Sequence, residues 1–158
     1  MKRLIPVPIC LALALATLLS ARPAASAVQT QPAMSGDMEV DVLKADVKDD
    51  ILTVALAYRN TGAQAATVGY RLDDVYFVDP SEKKKYQVLK DSKGEWLGAP
   101  VARGAIGTDT GSQANPLSVP AKGKAAVWFK FPAPPESTTK INLVIPDVLP
   151  FEDLPITR

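Results

Sequence analysis

Apolar and polar residues alternate with period two through most of this chain, and no stretch repeats with the 3.6-residue period of an amphipathic helix. Period two puts successive side chains on opposite faces of an extended strand, so each such run has one face to bury. Met38, Val40 and Val42 alternate with Glu39 and Asp41. In "ILTVALAYRN", Leu52, Val54, Leu56 and Tyr58 share one side, while Thr53, Ala55, Ala57 and Arg59 make a milder face. Leucine and alanine would also allow a helix here. The β-branched and aromatic content and the Asn60-Thr61-Gly62 turn favour a strand.

Further runs follow the same rule. "ATVGYRLDDVYFVD" is read as one or two strands bent near Gly69 and Asp73-Asp74, "KKYQVLKD" as another, and "DSKGEW" as a turn relying on Gly94. "KAAVWFKF" places Ala125, Val127, Phe129 and Phe131 inward, and "KINLVIP" does the same with Ile141, Leu143 and Ile145. Between them, Leu97 to Pro116 is rich in Gly, Ala, Ser and Thr and reads as a long loop, with a short edge strand around Val101 to Ile106. The tail "DVLPFEDLPITR" is too proline-rich for a central strand. About seven strands separated by short turns define an all-β protein, an antiparallel immunoglobulin-like β-sandwich, with a small β-barrel as the alternative. The "PAPP" run after Phe131 then reads as a stiff crossing between sheets that keeps exposed backbone from pairing, and Pro146, Pro150 and Pro155 guard a second edge.

The first residues have a different logic. Lys2 and Arg3, an apolar stretch from Leu4 to about Leu19 and the small-x-small site Ala25-Ser26-Ala27 have the layout of a secretory signal peptide over residues 1–27. Pro6 and Pro8 leave an uninterrupted apolar run shorter than the ~20 residues of a membrane-spanning helix. Cys10 precedes most of that run, which rules out a lipid-modified cysteine at the cleavage site. Residues 28–36 are expected to form a flexible lead-in, and residues 37–158 the sandwich. Removal of the signal takes away the only cysteine, so the domain must hold by its core alone. A chain of this length buries roughly two-thirds of its unfolded surface, enough for one domain. Loss of Lys2, Arg3 and Arg22 leaves a slight acidic excess, which argues against nucleic acid or an anionic membrane as partner. Export places the chain in the periplasm, with full release as the alternative.

No catalytic or metal-binding set is legible, and no cofactor is expected. Histidine is absent, and the one cysteine lies in the signal segment. Ser81 beside Lys83 to Lys85, and Ser92 beside Lys93, sit in turns where both residue types are commonplace. The carboxylate pairs Asp49-Asp50, Asp73-Asp74 and Glu152-Asp153 read as solvated turns or ends. "GTDTGSQAN", with Asp109, Thr110, Ser112 and Asn115, has calcium-type ligands without a calcium-loop spacing. The candidate contact surface is therefore built from Trp96, Asp109, Trp128, Lys83, Lys84, Lys85 and Tyr86. Lys83 to Lys85 read first as a solvated hairpin and second as a patch for an acidic partner. Trp128 shares its face with Ala126 and Lys130. It is either an exposed stacking residue, joined by Tyr58, Tyr76 and Tyr86, or covered by the tail through Phe151, and the apolar tail favours the covered reading.

"ALAYRNTG", "DDVYFVDPSEKKKYQVLKDSKGEW", and "VWFKFPAPP" followed by "INLVIPDVLPFEDLPI" together resemble secreted bacterial proteins with a telokin-like, immunoglobulin-like β-sandwich, a broad group that includes immunoprotective extracellular proteins. The resemblance spans Met38 to Ile156. It implies an exported sandwich with no catalytic motif. The expected function is a non-catalytic binding module of the cell envelope that contacts another protein, an inhibitor or immunity protein being one form. The alternative is a glycan- or peptidoglycan-associated accessory, which an exposed Trp128 or Trp96 would favour. An enzyme ranks last.

Overall fold

The computed structural model describes residues 26–34, 36–99 and 116–158. Residues 1–25 of the expected signal segment, Asp109 and the expected edge strand at Val101 to Ile106 lie outside the described residues. The described chain forms β1 (Gln29–Pro32), β2 (Met38–Lys48), β3 (Ile51–Asn60), β4 (Ala66–Val68), β5 (Tyr76–Asp79), β6 (Lys84–Gln87), β7 (Gly98–Ala99), β8 (Leu117–Val119), β9 (Lys124–Pro132), β10 (Lys140–Val144) and β11 (Phe151–Pro155). A single 3-10 turn covers Leu72–Asp74, and no α-helix occurs among the described residues. One sheet has the order β1-β2-β3-β9-β7, the facing sheet β11-β10-β5-β6, and β4-β8 forms a two-stranded ribbon. All pairings between named strands are antiparallel. The all-β antiparallel sandwich is as expected. The strands are more numerous than about seven because short pieces such as β4, β7 and β8 carry too few residues to show alternation.

The core lies where the two sheets face each other. Val40, Val42, Leu52, Val54, Leu56, Val127, Phe129 and Phe131 come from the first sheet, and Phe77, Ile141, Leu143, Phe151 and Leu154 from the second. Phe77 and Phe131 meet across the gap edge to face, with ring centroids 5.3 Å apart. Tyr86 stacks on Phe77 at 4.6 Å. Alternation along each strand thus becomes one layer of aromatic and branched side chains between the sheets.

The strand β2 contains an irregularity that its sequence conceals. Its register against β3 shifts between Val42 and Lys44. Before the shift Val40 and Val42 point inward; after it Ala45 is buried and Lys44 is exposed. A bulge inserts one residue and so exchanges the faces without ending the strand. The β2–β3 hairpin closes through Asp49 and Asp50, with φ of 51° and 59°. Two successive left-handed residues suit a type I′ turn, in which glycine is preferred at the second position. Asp50→Gly is expected to raise unfolding stability by about 0.5 kcal/mol, the relief of left-handed strain being partly offset by greater freedom of the unfolded chain. Urea titration would check it, and a lower midpoint would refute it.

Within the expected flexible lead-in, residues 28–36, the structure places the strand Gln29–Pro32. Gln29–Pro32 pair with Glu39 to Val42, and Ala33 bridges to Val148. Met34 N–H donates to the Asp147 carbonyl and Leu149 N–H to that of Pro32, both reaching toward the facing sheet. The polar "QTQP" is a strand because the edge of β2 supplies its partner, whereas its own composition carries no strand signal. Thr157 bridges Asp46 in parallel further along the same edge, so chain from both ends of the domain covers β2.

The proline corner runs from β9 in one sheet to β10 in the other, as the sequence reading requires. Its ring nitrogens have no N–H, yet its carbonyls need donors. Arg158 supplies them: Nη1 donates to Thr138 O at 2.8 Å, and Nη2 to Pro135 O at 2.7 Å and Pro134 O at 3.3 Å. β11 is an edge strand, as its prolines demand.

Candidate functional site

The candidate contact residues do not gather at one place. In β6, Lys84 and Lys85 point to opposite faces and each lies against a ring: Lys84 Nζ is 4.8 Å from the Tyr86 centroid, and Lys85 Nζ 3.8 Å from that of Tyr76. Lys83 occupies the turn with φ of 54°. Tyr86 is buried, and Tyr58 is fully so. Both are core residues, which overturns their place in an exposed platform. Tyr76 belongs to the sheet opposite Trp128. Period-two counting identifies a strand's two faces but not which sheet will cover one of them.

Trp96 is half-buried against the core and bridges Lys90, whose Nζ lies 4.2 Å from its ring centroid. The loop between them is closed by Asp91, whose Oδ1 accepts from the N–H groups of Lys93 and Glu95 at 2.8 and 2.9 Å. Trp96 is thus largely a packing residue.

Trp128 differs. It is 37% exposed on the outer face of the five-stranded sheet. The tail does not cover it, because Phe151 belongs to the facing sheet and is buried between the layers. A hydrophobic tail was expected to dock outside; the open side of β10 instead offered both backbone partners and a core position.

The register of the sheet builds the surface around Trp128. Lys44, Ala55, Trp128 and Ala99 lie in one cross-strand row. The row on one side contains Thr30, Asp41, Ala57 and Ala126; that on the other contains Asp46, Thr53 and Lys130. Ala55, Ala57 and Ala126 end at one methyl, so the indole stands beside a low floor. Gly98 lets β7 approach, since a Cβ there would meet Phe129 Cδ1 at 3.1 Å and Trp128 O at 3.3 Å. Lys130 Nζ lies 6.0 Å from the Trp128 centroid.

One end of this face is held by a charge network that sequence reading missed. Arg59 grips Asp41 with two hydrogen bonds of 3.1 Å, Nε to Oδ2 and Nη2 to Oδ1, and also pairs with Glu39. Thr30 Oγ1 donates to Asp41 Oδ1 at 2.8 Å. The Arg59 guanidinium, opposed by burial and helped by Thr30, keeps the Asp41 carboxyl below its usual range. The Glu39, Asp41 and Arg59 spacing is visible in the sequence, but the antiparallel offset that joins them is not. The other end is a pocket lined by Lys44, Asp46, Val47, Lys48, Thr53, Thr157 and Arg158.

The described residues contain no group of three or more His, Cys, Asp or Glu side chains able to hold a metal ion. No helix among them is long and apolar enough to cross a membrane. Fold and surface together define an antiparallel β-sandwich in which Trp128 is the exposed large aromatic among the described residues, on an outer sheet face. No protein-family model, curated protein or solved structure matches the chain.

Proposed function

We propose that this chain is an exported, non-catalytic binding module of the bacterial cell envelope that engages its partner through the outer sheet face around Trp128. The observation that carries the reading is the exposure of a large indole among flush alanines, with charged groups at both ends of the face. Tryptophan and arginine are the side chains most often dominant at binding surfaces. The signal-like leader and the resemblance to secreted telokin-like sandwiches support export, to the periplasm in the first instance. Another envelope or secreted protein is the default partner for a small sandwich without chemistry, by analogy of fold. The exposure of Trp128 favours the second reading, a glycan-associated accessory.

Affinity capture from cross-linked envelope fractions, with the wild-type chain and Trp128→Ala side by side, tests the surface. Trp128→Ala is expected to lose about thirtyfold in capture, the equivalent of a ~2 kcal/mol hot spot, with the fold unchanged. Undiminished capture by the folded variant would exclude this face.

A further inference from the structure

The pocket beside Trp128 extends the same surface. It encloses about 470 Å³ where the end of β2 meets Thr157 and Arg158. Thr53 pairs with Asp46 on one side and Lys130 on the other, and its same-face neighbour Ala55 pairs with Lys44 and Trp128. The pocket and the indole are therefore contiguous, Lys44 and Trp128 being two strand spacings apart, about 10 Å.

The charges on this surface are unequal. Lys44 is committed to Asp46 at 2.5 Å. The Arg158 guanidinium is committed to the carbonyls of the proline corner. Lys48 and Lys130 have no ion pair among the described residues. Asp46 carries the one carboxylate side chain in the pocket lining, and Lys44 and Thr157 both donate to it. Thr53 makes no side-chain hydrogen bond among the described residues, so its hydroxyl remains available to a ligand.

We propose that this face binds an acidic saccharide, with one sugar ring stacked on the Trp128 indole and a carboxylate of the chain held by Lys130 and Lys48. The proposal deepens the binding-module reading and rests on it. A pyranose offers a flat C–H face to an indole, and its hydroxyls match Thr53 and Asp46 as donors and acceptors. Its carboxylate matches the unpaired ammonium groups. A peptide would instead need an apolar hole for an anchoring side chain or a free strand edge. The alanines around Trp128 offer no such hole, Val47 is the one apolar residue lining the pocket beside them, and the face presents side chains in place of an edge.

Calorimetric titration of the full chain tests this with three acidic probes: an oligogalacturonate, a hyaluronan oligosaccharide and the N-acetylglucosaminyl-N-acetylmuramic acid disaccharide. Methyl-esterified oligogalacturonate and hexaglutamate serve as comparisons. At least one acidic saccharide is expected to bind, more weakly as salt rises, and at least tenfold more tightly than both comparisons. Trp128→Ala and the double variant Lys48→Gln/Lys130→Gln are each expected to weaken it at least tenfold, with circular dichroism unchanged. Failure of all three acidic probes, equal binding of the ester, or binding that survives Trp128→Ala would overturn the proposal. Equal binding of hexaglutamate would overturn it in favour of an acidic peptide. Capture of an envelope protein that depends on Trp128, without saccharide binding, would overturn this proposal alone and leave the binding-module reading standing. Capture undiminished by Trp128→Ala would remove both.

Discussion

Phe77→Ala is expected to destabilise the domain by about 3–5 kcal/mol, lowering the melting temperature by roughly 10–20 °C. Phe77 is fully buried in β5, pairs with Leu143 across the strand, stacks on Tyr86 and meets Phe131 from the opposite sheet. Its removal opens a cavity at the contact that joins the layers, and neither sheet can close it without leaving its own hydrogen-bond register. The sequence has a single cysteine, Cys10, so no disulfide within the chain supports the domain against this loss. Phe77→Leu keeps most of the volume and should cost less than half as much. Thermal and urea unfolding followed by near-ultraviolet dichroism would measure both, and equal losses for the two variants would contradict the cavity argument.

Asp79→Ala is expected to cost about 2–4 kcal/mol, a large effect for a polar residue at the end of a strand. Asp79 is fully buried, and its carboxylate organises two connections at once. Oδ1 accepts from the N–H groups of Ser81 and Glu82 at 2.8 and 3.3 Å, shaping the β5–β6 hairpin. Oδ2 accepts from Thr138 Oγ1 at 2.5 Å, tying that hairpin to the segment that follows the proline corner. Truncation leaves the Thr138 hydroxyl, also buried, without its acceptor.

The same group sets a pH dependence. Burial works against ionisation of Asp79, but the hydrogen bonds from Thr138, Ser81 and Glu82 outweigh it and hold the carboxyl below its usual range. A folded-state value below the unfolded one means that the unfolded chain binds the proton more readily. The contribution of Asp79 is therefore complete at neutral pH and is lost as pH falls below about 4, through the unfolded and then the folded value. Unfolding free energy should decline less steeply between about pH 5 and pH 2 in Asp79→Ala than in the wild type. Some slope will persist, because Arg59 lowers Asp41 and Lys44 lowers Asp46 in the same direction. Superimposable slopes would show that Asp79 does not carry this charge-linked stability.

Both predictions concern residues whose sequence signals differ in kind. Phe77 sits in "VYFVD", where alternation and aromatic content mark a strand but leave open which face meets the core. Asp79-Pro80 reads locally as a turn, and it is one. Its link to Thr138, far along the chain, follows no local rule, because it depends on β10 returning beside β5.

The alternation of Leu52 to Tyr58, of Val127 to Phe131 and of Ile141 to Ile145 was sufficient to mark strands, their apolar faces and hence an all-β fold, and the pairing of those strands into two facing sheets decided for the sandwich over the barrel. Period two is a property of neighbouring residues, so it is complete within each segment. The prolines likewise placed the crossing after β9 and the edge position of β11, since a missing N–H is a local fact. Tertiary structure alone decided the remainder. It made a strand of Gln29–Pro32, exchanged the faces of β2 at a bulge, buried Tyr86, and drew Phe151 into the core away from Trp128. It also placed Lys48, Thr53 and Lys130 on one surface with that exposed indole. Each outcome depends on which strand lies beside which and in what register, an energy shared between distant segments and carried by neither one alone.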